Sequence, residues 1–189
     1  LTKLVVITLV PLYTTYLSVN EVGLIVFLEM IELFVVTIIP IGCINAMWRF
    51  LPEEKGYNKN KIIISAFTVM MVSGLVIIFL LLFFQNNISS FFGIPNDNNL
   101  LVFVFVSCFL QSISHFIYSL LQYKNHSVFY LILSLAQFLS LVGLTIYLIV
   151  YSEQGIIGIY YAKTSVFFTS FICIIFILIK NTRALPSFK

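Results

Sequence analysis

Three ionisable side chains lie inside long apolar runs of this 189-residue chain, namely Glu29, Glu32 and Lys163. Each would cost on the order of 2.5–3.5 kcal/mol at the centre of a helix that faced lipid. Glu29 and Glu32 are three residues apart, so on a helix their carboxylates point the same way. The pattern has two interpretations. Either an inward Glu–Lys pair only fixes two helices together, or the cluster lines a transport pathway in which a carboxylate exchanges protons or binds a cation.

The composition excludes most classes of soluble protein. Apolar residues make up 61% of the chain and charged residues only 9%, whereas a soluble domain carries about 25% charged residues. The mean hydropathy is +1.10. Three cysteines and the absence of a basic cluster argue against a secreted disulfide scaffold and against a nucleic-acid partner. We therefore expect an integral membrane protein.

Apolar runs of about 20 residues, the length that spans a bilayer, predict an all-α polytopic membrane protein. We expect a six-transmembrane-helix bundle that forms a single lobe over residues 1–189. The predicted helices cover residues 4–17, 22–48, 62–84, 100–122, 128–151 and 157–180. The first run is short and no methionine begins the chain, so we expect the first helix to begin upstream of this sequence.

The placement of Lys and Arg predicts the orientation of the lobe. Basic residues fall before the first helix, in the second and fourth connections, and after the sixth helix, whereas the other three connections contain none. The residues on the basic side are Lys3, Arg49, Lys55, Lys59, Lys61, Lys124, Lys180, Arg183 and Lys189. Because such residues concentrate on the cytoplasmic side, we expect both ends of this multi-pass segment to be cytoplasmic.

Polar side chains at helical spacing predict which helix faces turn inward. The fourth helix carries the longest stripe, made of Ser107, Gln111, Ser114, His115, Tyr118 and Gln122. Gln137 belongs to a similar stripe on the fifth helix. Interhelical hydrogen bonds explain any single member of a stripe, whereas several stripes together favour a shared polar cleft. Pro11 and Pro40 each remove a backbone hydrogen bond and are candidate hinges.

No pattern typical of an enzyme is present. The sequence lacks GxSxG, HExxH, Walker and GxGxxG motifs. Cys43, Cys108 and Cys173 are isolated within apolar runs and lack the spacing of metal ligands. We therefore predict no catalytic residues, no metal site and no cofactor.

Several short motifs resemble those of oligosaccharide flippases, the polysaccharide exporters of the multidrug/oligosaccharidyl-lipid/polysaccharide superfamily. Residues 11–18 read Pro-Leu-Tyr-Thr-Thr-Tyr-Leu-Ser, and residues 21–23 read Glu-Val-Gly. Gly42, Ala46, Arg49 and Phe50 resemble the family's second motif. Residues 120–130 are similar to its turn between helices four and five, and residues 155–158 to its Gly-rich entry to helix six.

The resemblance implies that this chain is the first lobe of a twelve- or fourteen-helix flippase in the bacterial cytoplasmic membrane. Such a protein moves a polyprenyl-pyrophosphate-linked oligosaccharide, the repeat unit of an O-antigen, capsule or exopolysaccharide, by alternating access. Its expected partners are the second lobe and the glycosyltransferases and polymerase of the same pathway. Arg49, Lys163 and Lys3 would attract phosphate, and Glu29 with Glu32 would couple transport to protons or sodium.

Two alternatives remain at this point. Paired carboxylates inside the membrane also suit a cation-coupled multidrug exporter of the same superfamily. A membrane-embedded enzyme or a non-transporting scaffold belongs to a different class, and would be revealed by transferase or hydrolase activity.

Overall fold

The chain is all-α in a computed structural model. Its backbone is described over residues 2–40, 42–52, 57–92, 100–123 and 127–184, and its side chains over 8–40, 42–52, 59–91, 100–123 and 127–172. Lys55, Lys124 and Lys189 lie outside the described residues, as do the side chains of Lys3, Lys180 and Arg183. The helices are α1 (Thr2–Tyr16), α2 (Val19–Ile38), α3 (Cys43–Phe50), α4 (Tyr57–Phe83), α5 (Gln85–Phe92), α6 (Leu100–Tyr123), α7 (Ser127–Ile146) and α8 (Gly155–Ala184), with a π-helical turn at Tyr147–Tyr151.

Five segments are long and apolar enough to cross a membrane. They are Val19–Phe50, Lys59–Phe83, Leu100–Tyr123, Ser127–Tyr151 and Gly155–Ile172. The first predicted helix, over residues 4–17, is not among these five; it corresponds to α1, which has 15 residues. No strand occurs in the parts of the chain that the structure describes. The prediction of an all-α polytopic membrane protein is therefore confirmed.

Helix α6 forms the centre of the bundle. It packs against α2, α3, α4, α7 and α8, while α1 packs against α7 and α2 at the periphery. Its span is the most buried of the five, and Val104, Phe105 and Cys108 are fully enclosed. Ser107 and Ser114, two members of the polar stripe predicted on this helix, are buried as well.

Contacts between the connections place the ends of the helices on two opposite sides of the bundle. Ser18 caps α2 through a capping box, in which its backbone N–H donates to Glu21 Oε2 at 2.8 Å and its hydroxyl accepts from the Glu21 N–H. At the same end, Glu21 Oε1 lies 3.5 Å from the position that a Cβ would take on Gly155. At the opposite end, Tyr123 donates to the carbonyl of Leu51 and accepts from Lys59.

The predicted helix over 22–48 is interrupted within its span. Pro40 has no N–H to donate to the preceding turn, and Gly42 adopts a left-handed conformation with φ 72°. The N–H of Cys43 bonds to the carbonyl of Pro40 at 2.7 Å, and α3 starts from there. Two helices, α2 and α3, thus make one broken span, with Pro40 at the break.

Other boundaries differ in smaller ways. Helix α4 begins at Tyr57 rather than at residue 62. Helix α5, whose polar first turn follows directly on α4, was not predicted from the sequence. The predicted helix over 128–151 ends in the π-helical turn, where the N–H of Ser152 reaches back five residues to Tyr147 at 3.3 Å. This turn packs closely on α8, because a Cβ on Gly158 would lie 3.2 Å from Leu148 Cβ.

Candidate functional site

An ion pair between α2 and α8 is the main ionic contact inside the described bundle. Lys163 Nζ lies 2.6 Å from Glu32 Oε2, and the two side chains are 12% and 9% exposed. The sequence placed both residues in spanning helices, and the structure brings them together. Because an unpaired charge at this depth is costly, the pair neutralises both groups where they lie.

Tyr160 lies beneath the ammonium of Lys163. Its ring centroid is 4.9 Å from Nζ, within the range of a cation–π contact. Tyr160 is fully buried, and its hydroxyl has no hydrogen-bond partner among the described residues. The spacing of three residues on α8 puts Tyr160 and Lys163 on one face of the helix. Lys163 is therefore held by a carboxylate and an aromatic face together.

A second carboxylate and two further polar groups surround the pair. Glu29 is half-buried, interacts electrostatically with Lys163 and Glu32, and makes no hydrogen bond or ion pair with any described residue. Tyr13 of α1 lies close enough to both carboxylates for an electrostatic effect, and Cys108 of α6 lies similarly close to the ion pair. The cluster thus lies where α1, α2, α6 and α8 converge, and contains two carboxylates for one ammonium group.

The ion pair joins two helices that are otherwise packed mainly on α6. Helices α2 and α8 each pack extensively on α6, and their contact with one another is much less extensive. The pair therefore links two helices that share a neighbour but hardly touch. Within the described residues no group of three or more His, Cys, Asp or Glu side chains could hold a metal ion.

The amide side chains of the predicted stripes have different surroundings. Gln137 Oε1 on α7 accepts a hydrogen bond from the hydroxyl of Tyr118 on α6. Gln111 Oε1 is buried without a partner among the described residues. His115, one turn further along α6, is exposed. The stripe on α6 therefore does not face one common cleft within this bundle.

Arg49 and the two prolines lie away from the ion pair. Arg49 is exposed at the end of α3, with its guanidinium carbon 5.7 Å from the ring centroid of Phe50. Pro11 lies inside α1, which stays helical on both sides of it. Pro40 lies in the break between α2 and α3. The structure does not bring Arg49 together with Glu29, Glu32 or Lys163.

Most hydroxyl groups of the spans bond to their own helix rather than to a neighbour. Ser107, Ser112 and Ser114 on α6 each donate to a carbonyl three or four residues earlier at 2.8–3.0 Å. Hydroxyls that bond between elements are fewer, for example Ser119, which accepts from Trp48 Nε1 at 2.6 Å. The interpretation of the serines as interhelical contacts thus holds for only a minority of those described.

Tyr13, Tyr160 and Cys108 were not predicted from the sequence to lie near the charges. A signal for Tyr160 was present, because it precedes Lys163 by three residues on the same predicted helix. Tyr13 and Cys108 lie on other helices, and their proximity depends on packing that a single sequence does not specify.

The spanning helices and the enclosed ionic cluster together define a polytopic α-helical membrane protein. A family model described as "Polysaccharide biosynthesis protein" matches residues 1–188. The chain therefore belongs to the polysaccharide biosynthesis protein family, which agrees with the resemblance seen in its motifs. No curated protein and no solved structure matches the chain.

Proposed function

We propose that this chain is the first lobe of a flippase that moves a polyprenyl-pyrophosphate-linked oligosaccharide across the bacterial cytoplasmic membrane by alternating access. The observation that carries the proposal is the buried Glu32–Lys163 pair, in a spanning chain of the polysaccharide biosynthesis protein family. A second lobe would complete the cavity. Glycosyltransferases and a polymerase would act before and after transport.

The ion pair offers a route by which an anionic headgroup could bind. Lys163 is neutralised by Glu32 at 2.6 Å, so it presents no unpaired charge while the site is empty. A pyrophosphate is an alternative partner for the ammonium group, since charge-assisted bonds to phosphate are among the stronger hydrogen bonds. Exchange of Glu32 for pyrophosphate would loosen the link between α2 and α8 and free these helices to move.

Glu29 would supply the coupling. Its carboxylate is half-buried, lies near Lys163, and has no ion-pair partner among the described residues. When pyrophosphate occupies Lys163, Glu32 and Glu29 would be two carboxylates without a cation. Uptake of a proton or a sodium ion would then offset one of these two negative charges, which links occupancy by substrate to occupancy by the coupling ion.

The test is export of polymer by cells in which the full-length gene carries single substitutions. Lys163→Gln should lower export about tenfold or more, since a hydrogen bond to a charged group contributes about 1.5–3 kcal/mol. Lys163→Arg, which keeps the charge, should retain more export than Lys163→Gln. Lys59→Gln, which removes a cation outside the cluster, should leave export unchanged. Normal export by Lys163→Gln at normal abundance in the membrane would refute the proposed role of this lysine.

A cation-coupled multidrug exporter is the second candidate. The observation that favours it is the excess of carboxylate over ammonium groups in the cluster, which suits a cationic drug as well as a coupling ion. Cells expressing the full-length protein would then gain drug resistance that Glu29→Gln abolishes, and a strain lacking its own oligosaccharide flippase would gain no polymer export. The opposite outcome supports the flippase.

A further inference from the structure

Tyr160 brings an unused hydrogen-bond donor into the ionic cluster. The side chain is fully buried, and its hydroxyl has no hydrogen-bond partner among the described residues. A buried hydroxyl without a partner is destabilising, because folding removes it from water and replaces none of its hydrogen bonds. Phenylalanine would fill the same space without this cost. The hydroxyl is therefore explained by a state of the protein in which it has a partner.

The neighbours of Tyr160 identify that partner. Glu32 is the charged group with the largest electrostatic effect on Tyr160, ahead of Glu29. Glu32 Oε2 lies 2.6 Å from Lys163 Nζ, and Nζ lies 4.9 Å from the centre of the Tyr160 ring. The ammonium group therefore contacts the carboxylate and the ring at the same time. If the ammonium left Glu32, the carboxylate would remain beside a buried hydroxyl that can donate to it.

Separation of the ion pair produces two charges that each need a new partner, because an unpaired charge inside the membrane is costly. The ring of Tyr160 already contacts the ammonium of Lys163, and a cation–π contact becomes stronger away from water. The hydroxyl can donate to Glu32, and hydrogen bonds to an ionised group are stronger than those between neutral groups. One side chain thus offers a partner to each member of the pair.

We propose that Tyr160 is a positioning residue that stabilises both charges when Glu32 and Lys163 separate. Its ring retains the ammonium of Lys163, and its hydroxyl donates a hydrogen bond to the carboxylate of Glu32. The benefit to transport rests on the proposed function, in which a pyrophosphate replaces Glu32 beside Lys163. The contacts with the separated charges do not rest on it, since they follow from the packing of α2 and α8.

Removal of one charge tests the hydroxyl without any measurement of transport. Lys163→Gln in the purified full-length protein leaves the carboxylate of Glu32 without its ammonium. In the unmodified protein, Tyr160→Phe should leave the folding equilibrium constant unchanged or raised, because the lost hydroxyl has no partner among the described residues. In the Lys163→Gln background, the same change should lower this constant about tenfold or more, since a hydrogen bond to a charged group is lost.

The ring is tested by removal of the other charge. Glu32→Gln leaves the ammonium of Lys163 without its carboxylate. Tyr160→Leu removes the ring as well as the hydroxyl. Its effect relative to Tyr160→Phe should be larger in the Glu32→Gln background than in the unmodified protein, by up to about thirtyfold for a cation–π contact away from water.

Tyr161 provides the matched controls for both tests. It is the next residue on α8, its side chain is exposed, and its ring packs against Phe103 outside the ionic cluster. Tyr161→Phe should have the same effect on folding with and without Lys163→Gln. Tyr161→Leu, compared with Tyr161→Phe, should have the same effect with and without Glu32→Gln.

Export of polymer distinguishes a positioning role from a merely structural one. Cells whose full-length gene carries Tyr160→Phe should export about tenfold less polymer, although the purified variant is at least as stable as the unmodified protein. Tyr161→Phe should export normally. Both charges are present in this experiment, so it decides the question if Lys163→Gln does not fold, and normal export by Tyr160→Phe would then refute the proposal.

Two results of the unfolding experiments would overturn the proposal. The first is an equal effect of Tyr160→Phe in the unmodified protein and in Lys163→Gln. The second is a loss in Lys163→Gln that follows Tyr13→Phe and not Tyr160→Phe, because Tyr13 also lies near both carboxylates. The expected loss from Tyr160→Phe, together with normal export by Lys163→Gln, would support the role of Tyr160 and refute the proposed function instead.

Discussion

The hydroxyl of Ser73 on α4 donates a hydrogen bond of 2.8 Å to the carbonyl oxygen of Ile39, the residue before Pro40. In an uninterrupted helix this carbonyl would accept from the N–H of Cys43, which instead bonds to Pro40 at 2.7 Å. Ser73 therefore satisfies a backbone group that the helix break releases. The break between α2 and α3 is therefore stabilised by α4, which carries the hydroxyl that bonds to the released carbonyl.

Replacing Ser73 with alanine should weaken the support of this break. The buried carbonyl of Ile39 would lose its partner, and an unsatisfied buried acceptor costs about 1–3 kcal/mol. We expect a corresponding loss in the free energy of unfolding of the purified protein in detergent. Thr68→Ala is the control, because the hydroxyl of Thr68 is exposed and bonds only to its own helix at Ile64. Equal losses in the two variants would contradict the role given to Ser73.

Gly74 is required for the close approach of α4 to α6. A Cβ at this position would lie 2.7 Å from Phe109 Cε2 and 3.1 Å from Ile39 Cγ2. Gly74→Ala should therefore destabilise the protein by about 1–3 kcal/mol, the usual cost of overpacking. Gly23→Ala on α2 should be neutral or stabilising, since nothing lies within 4 Å of its Cβ position. Phe109→Leu should restore part of the stability of Gly74→Ala, and no restoration would argue against the clash.

The Glu32–Lys163 pair predicts strong coupling between two substitutions. Glu32→Gln or Lys163→Gln alone should cost about 3–5 kcal/mol, because each leaves one buried charge without its partner. The double variant should cost less than the sum of the two, since it leaves no charge at the pair. The measurement is the free energy of unfolding in a double-mutant cycle.

Glu29→Gln is the matched control for this cycle, one turn earlier on the same helix and without an ion pair among the described residues. It should cost less than Glu32→Gln. Additive costs of Glu32→Gln and Lys163→Gln would show that the two side chains do not interact in the membrane.

Labelling of introduced cysteines tests the proposed orientation. In a protein whose own cysteines are replaced by alanine, Gln154→Cys should react with a membrane-impermeant maleimide in intact cells, and Asn60→Cys only after permeabilisation. Both positions are exposed and lie near opposite ends of the bundle. Asn20→Cys, exposed near the capping box, should behave like Gln154→Cys. Reaction of Asn60→Cys in intact cells would reverse the orientation derived from the basic residues.

The sequence predicted most of the helices because apolar length and polar connections are local properties. It did not predict α5, since the polar first turn of this helix resembles a connection. Pro40 was a candidate hinge, but the donor that supports the interruption, Ser73, lies 34 residues from Ile39. Such a contact depends on how two helices pack, which one sequence does not reveal.

The charged residues of the candidate site were predictable from the sequence, whereas their uncharged neighbours were not. A charge in a spanning helix has few favourable surroundings, so a partner for Lys163 had to be one of very few residues. A serine has no such constraint, because a carbonyl of its own helix satisfies it, as for Ser107 and Ser114. An aromatic residue such as Tyr160 suits both a lipid surface and a cation. Its role became visible only through its distance from Lys163.

The sequence separation of 131 residues between Glu32 and Lys163 has a consequence for biogenesis. Ribosomes add about 5–20 residues per second, so α2 leaves the ribosome roughly 7–26 seconds before the lysine of α8. Throughout that interval the carboxylate must stay neutral, hydrated or shielded by the insertion machinery. Translation speed and the timing of membrane insertion therefore affect the yield of this protein, independently of the stability of the finished bundle.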